Sequence, residues 1–236
     1  MTLYRVRDTV FLVNCLTAGK RSAVVAALVE GVSINATCRM TVANHTVLNL
    51  LRDIGCACAA YHNVHVRNLR VRRVQADEIW SFVYGKDKNL TLEQVQSGLG
   101  SVWTWKAIDA DTKLVISYTL GDRGADTAKV FMQDVASRIN SRIQLTTDGH
   151  RVYAEAVEDA FGSEIDYVGM RRFTRLTNGF SKKVENHGHM VALYFMHYNF
   201  CRVHKTLRVI PAMEAGLSDH IWDIEGLIQL LRGKTA

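Results

Sequence analysis

The chain has 236 residues, 48% of them hydrophobic, and a formal charge of +6. That length suits one domain of ordinary size with a small appendage, and the apolar share is enough for a buried core. A single Pro and the lack of any low-complexity tract argue against a long disordered segment. The mild basic excess suits a polyanionic partner but is shared by many plain enzymes. Cys15, Cys38, Cys56, Cys58 and Cys201 are odd in number and form no C-x-x-C pair. This disfavours a disulfide framework and a cysteine zinc ribbon, and points to reduced thiols in a cytoplasmic protein. No apolar run approaches a membrane span, so no membrane partner is expected.

In chain order, residues 1–15 fit poorly with the helical pattern downstream and read as an N-terminal extension of uncertain role. The apolar stretch 9–15 (TVFLVNC) is too short for a signal peptide, and no small-x-small cleavage site comes after it. Residues 20–31 (KRSAVVAALVEG) carry Val24, Val25 and Leu28 at helical spacing, with Gly31 as a stop. Ser33 caps a second short helix through Met40. A third begins at Asn44 or Thr46 and ends at Gly55, with Val47, Leu48, Leu51 and Ile54 on one side. Three short helices with tight turns predict a helix-turn-helix domain over 16–60. The third would be the recognition helix, presenting His45, Asn49 and Arg52 to double-stranded DNA. A small helical bundle that binds no DNA is the alternative. Residues 61–73, with Arg67, Arg70, Arg72 and Arg73, read as a basic linker.

From Val74 the period changes. Residues 74–85 (VQADEIWSFVYG), 102–108 and 114–120 read as three strands of a meander. Next come a helix over 127–139, a strand over 144–147, a helix over 153–161 and a fifth strand over 165–168. A basic stretch (170–183) leads into a long helix from about 183 to 202, and the tail from 211 to 236 reads as helical. This order predicts an α/β, RNase H-like mixed five-stranded sheet flanked by helices over 74–210, preceded by the small all-α domain.

Position also singles out three acids. Asp77 lies inside an apolar strand, where an unpartnered charge is costly. Asp148 ends a strand just before Gly149, where sheets open their ligand crevice. Glu185 starts an amphipathic helix. Two carboxylates about 4 Å apart repel by roughly 4 kcal/mol at an effective dielectric of 20. Gathering three therefore calls for compensation, which a pair of Mg²⁺ or Mn²⁺ ions supplies. With 23 acidic residues in the chain, spacing alone does not decide the choice.

The segments DEIWSFV (77–83), VWTWKAIDADTKL (102–114), TTDGH (146–150), RRFTRLTNGFSKKVENH (171–187) and ALYFMHYNFCRVHKTL (192–207) resemble the IS1 family of insertion-sequence transposases. With the helix triplet, the likeness runs from about residue 16 through nearly the whole chain. The resemblance implies a DDE enzyme with Asp77, rather than Glu78, as first acid, Asp148 as second and Glu185 as third. It implies two divalent metal ions and the cutting and joining of element-end DNA. Typical members carry a cysteine zinc ribbon before the helix triplet and a shorter interval between the last two acids. At position 192, where many DDE enzymes have a basic residue, this chain has Ala, which leaves the phosphate-contacting role unassigned.

Arg171, Arg172, Arg175, Lys182 and Lys183, just before Glu185, and His204 with Lys205 are expected to grip DNA phosphates. A solvated loop is their bland alternative. His187 and His189 fall two apart on a helix and point away from each other, so packing or DNA contact outweighs a histidine metal site. No P-loop is present, so no nucleotide cofactor is expected. Acting on two DNA ends implies a homo-oligomer on DNA. A nuclease or integrase that only hydrolyses, and a DNA-binding regulator with an inactive sheet domain, are the competing functions.

Overall fold

The computed structural model describes residues 16–162, 165–169, 180–181 and 183–231. Three helices come first: α1 (Ala18–Val29), α2 (Ile34–Met40) and α3 (Asn44–His65). Thr17 and Ser33 cap the first two by accepting from the backbone N–H three residues on. The strands are β1 (Arg73–Val83), β2 (Gly100–Asp109), β3 (Val115–Gly121), β4 (Ile143–Thr147), β5 (Ile165–Gly169) and the short β6 (Phe180–Ser181). The remaining helices are α4 (Leu92–Gln96), α5 (Ala125–Arg138), α6 (Val152–Phe161), α7 (Val184–Phe200), α8 (Pro211–Glu214) and α9 (Ile224–Gln229).

The sheet runs β3-β2-β1-β4-β5, with β6 beside the far end of β1. β1, β2 and β3 pair antiparallel, whereas β4 joins β1, and β5 joins β4, in parallel. The architecture is thus α/β, a five-stranded mixed sheet flanked by helices, with β6 as a two-residue addition. On one face Trp105 of β2 packs against Phe131 of α5 and Tyr153 of α6, at ring separations of 5.9 and 5.3 Å. On the other face lie α3 and α7. Buried His62 of α3 donates to the Val115 carbonyl (3.1 Å). Asn199 of α7 both donates to that carbonyl (3.0 Å) and accepts from the Val115 N–H (2.9 Å). Asn199 therefore serves the edge of β3 as a neighbouring strand would.

The third helix departs from its predicted end. It continues to His65, because Ala57, Cys58 and His62 prolong its buried stripe. Gly55, read as a stop, is a point of close approach. A Cβ there would lie 2.6 Å from the Cβ of His189 and 2.7 Å from its Cα. Only a residue without a side chain lets α3 and α7 come this near. The predicted basic linker is likewise anchored: His62 and His65 are still helical, and Val66, Leu69 and Val71 are buried. Arg67 donates to Asn63 and Ser137, and Arg73 is paired with Asp111. One buried cluster runs from Val24 and Leu51 through Trp105 and Leu145 to Phe200 and Leu227. The tail folds back onto it. Trp222 packs on Tyr61 and Phe200, with ring centroids 5.0 and 5.1 Å away. No helix among the described residues is long and apolar enough to cross a membrane.

This packing can be tested at two positions. Gly55→Ala forces α3 and α7 apart and should cost about 1–3 kcal/mol, read as a lower denaturation midpoint with an unchanged slope. Burial also pushes the His62 imidazole down to about 4, whereas in the unfolded chain it takes a proton near 6.5. Between those values the unfolded chain binds the extra proton, so His62 contributes fully above pH 6.5 and its contribution fades as pH falls toward 4. Urea denaturation should show that the stability lost between pH 7 and 4.5 is about 2–3 kcal/mol smaller in His62→Gln.

Candidate metal centre

β1 and β4 set the site. Their parallel register pairs Arg73 with Gln144, Val74 with Leu145 and Gln75 with Thr146. Continued past the end of β4, the same register brings Asp77 level with Asp148. Among the described residues, β1 has no further strand partner on this side until Phe82 meets Phe180. Asp148 emerges into that opening. Its direction is held by a local turn: Asp148 Oδ1 accepts from the His150 N–H (2.9 Å), and Gly149 takes a φ of +80° that a side chain would disfavour.

Asp77 and Glu78 are consecutive and leave β1 on opposite faces, yet both reach the opening. One oxygen each from Asp77, Glu78 and Asp148 lies within 4.8 Å of the others. Glu78, only 4% exposed, sits on the α5–α6 face, opposite Trp105 in the β1–β2 register. Asp77 pairs in register with Lys106 of β2 and accepts from the Glu78 N–H at 2.9 Å. Burial raises the Asp77 carboxyl above its ordinary range, against the pull of Lys106 and that N–H. Burial also raises Glu78, and Asp148 adds to the rise, against the Arg123 guanidinium. Both shifts mark an acidic group short of positive charge.

Arg123 supplies part of it. This residue lies in the turn between β3 and α5, and its Nη2 donates to Glu78 Oε2 and to Asp148 Oδ2, each at 3.1 Å. The guanidinium stands over the ring of Trp103, 4.7 Å from its centroid. Glu78 Oε1 and the Tyr153 hydroxyl remain buried without a well-formed hydrogen bond. They are close enough for the carboxylate to push the phenol's proton affinity up, on top of the larger effect of burial. Three converging carboxylates, two of them raised by burial, with an orphaned buried oxygen, fit a hard divalent cation with oxygen ligands.

The predicted site residues thus divide. Asp77 and Asp148 meet. Glu185 does not join them: it is exposed on the first turn of α7, outside the carboxylate group. That turn is held near the far end of β1, where His187 meets the Ser81 hydroxyl at 3.0 Å. Ser81 lies four residues, or about 13 Å, beyond Asp77 along the strand. Sequence reasoning selects neither Glu78 nor Arg123. The family pattern favours the neighbour of Glu78, and no local signal distinguishes Arg123 from other surface arginines. His45 and Arg52 are exposed and Asn49 partly so, on one outward side of α3. Asn49 bonds His45 (2.9 Å), and Arg52 pairs with Asp53. Lys183 and Lys205 are exposed and His204 is partly buried. Arg171, Arg172, Arg175 and Lys182 lie outside the described residues.

No protein-family model and no curated protein matches the chain. The chemistry of the site therefore rests on its own residues. If Glu78 is the third ligand, Glu78→Gln should weaken Mn²⁺ binding in calorimetry by about ten- to a hundredfold, with Glu185→Gln near wild type. The reverse pattern would mean that the first turn of α7 moves in to supply the third carboxylate.

Proposed function

We propose that this chain is a DNA transposase of the IS1 type, which cuts the ends of a mobile element and joins them to target DNA. The observation that carries the reading is the meeting of Asp77 and Asp148, distant in sequence, in one carboxylate cluster at the open end of a parallel strand pair. The strand order and the flanking helices are compatible with an RNase H-like catalytic domain. The strings shared with IS1 transposases run through that sheet and through α7.

Asp77, Glu78 and Asp148 would hold the metal. Two divalent ions there supply activation of the attacking oxygen and stabilisation of the leaving one in an in-line displacement at phosphorus. Asp148 is aimed by its bond from His150, and Asp77 by its bond from Glu78, so neither carboxylate has to search for its geometry. Lys106, beside Asp77, adds positive charge near the scissile phosphate. The triplet α1–α3 serves as the helix-turn-helix, with His45, Asn49 and Arg52 toward base edges. Basic residues 171–183, His204 and Lys205 hold the phosphate backbone. A water molecule as attacker yields a nick, and a DNA 3′-hydroxyl yields strand transfer.

The test is a DNA fragment carrying the element's terminal repeats, incubated with protein and Mg²⁺. Nicking at the repeat boundary and joining of pre-cut ends to a plasmid are the expected products. Asp148→Asn should bind the fragment like wild type and cut it at least about a hundredfold more slowly. Cleavage without joining would make the protein a nuclease. Specific binding with neither reaction would make it a regulator.

A further inference from the structure

Arg123 occupies the contacts that a divalent ion would need. Its Nη2 touches Glu78 Oε2 and Asp148 Oδ2, and its Nε reaches the same Glu78 oxygen at 3.2 Å. The match is incomplete in charge and in bonding. One positive charge faces three carboxylates, no bond runs from Arg123 to Asp77, and Glu78 Oε1 stays orphaned. A guanidinium's fixed fork cannot turn to satisfy all of them.

The two sides of this contact differ in freedom. The Glu78 side chain is 1% exposed and that of Asp148 13%, whereas that of Arg123 is 39% exposed. The turn beneath Arg123 is pinned. Asp122 accepts from Thr127 Oγ1 (2.6 Å) and from the Gly124 N–H (3.0 Å), and its carbonyl accepts from the Trp105 indole (2.9 Å). Only the Arg123 side chain is left to move, across the Trp103 ring and toward solvent. A guanidinium released there stays tethered at the rim of the carboxylate group, and its fork suits a phosphate.

We propose that Arg123 is the resident counter-ion of the metal-free site, displaced from Glu78 and Asp148 by the entering divalent ion and then bound to a phosphate of the DNA. This rests on the reading of the site as a metal centre. It fills the phosphate-contacting role that Ala192 leaves open, from a different element of the fold.

The experiment follows two quantities in the full chain. Calorimetry with Mn²⁺ should show binding to Arg123→Gln tighter than to wild type, on the order of tenfold, since a charged competitor has been removed. Arg123→Lys should stay near wild type. DNA affinity, measured with Ca²⁺ to prevent cleavage and separately with chelator, should fall several-fold in Arg123→Gln with Ca²⁺ and stay unchanged in chelator. Should Arg123→Gln fail to fold by circular dichroism, Trp103→Leu removes the stacking platform and should also tighten Mn²⁺ binding. Equal or weaker Mn²⁺ binding on loss of Arg123, or of its platform, would overturn the proposal. So would a DNA defect of the same size with and without metal. A wild-type chain that binds no Mn²⁺, with Asp148→Asn behaving identically, would instead bring down the metal-centre reading itself.

Discussion

The parallel pairing of β1 with β4 is the constraint on which the site depends. β1 is central: β2 lies along one edge, and β4 and β6 share the other. Because β4 stops at Thr147 while β1 runs on to Val83, the shared edge opens just where the chain reaches Asp148. A shift of one residue in this register would turn Asp77 and Glu78 to exchanged faces. Glu78 would then leave Tyr153 and Arg123, and the carboxylates would no longer converge. The buried side chains of β1 and β4, Val74, Ala76, Ile143 and Leu145 among them, hold that register through the core.

Electrostatics then gives the site its character. Three acids drawn together at a partly buried edge repel one another, and the fold answers with Arg123 and, more distantly, Lys106. The answer is partial, as the raised Asp77 and Glu78 carboxyls record. A purely structural ion-pair network would be expected to satisfy its buried oxygens. Here Glu78 Oε1 and the Tyr153 hydroxyl are left over, side by side, next to the carboxylates.

The N-terminal helices are not strung loosely ahead of this sheet. α3 lies against α7 at Gly55 and reaches β3 through His62, and the C-terminal segment closes over both at Trp222. A load placed on the outward side of α3 would be transmitted to α7, whose first turn carries Glu185. The face that offers His45, Asn49 and Arg52 is thereby mechanically joined to the helix nearest the site's remaining acid.

Much of this is legible in the chain. Strand alternation, helical spacing and caps such as Ser33 are local, so the order of elements and most of their extents can be read directly. Asp77 and Asp148 stand out because an acid within an apolar strand, and another before a turn glycine, are locally anomalous. Gly55 misleads, since a glycine that ends a helix and one that admits a neighbouring helix look alike until the neighbour is known. Glu78, Arg123 and Tyr153 come from three separate elements, and the position of Glu185 depends on where α7 docks. The sequence by itself determined the elements and two of the acids, because those signals lie within a few residues. Only the tertiary structure decided which third carboxylate and which cation join them, because those contacts are made across strands and helices far apart in the chain.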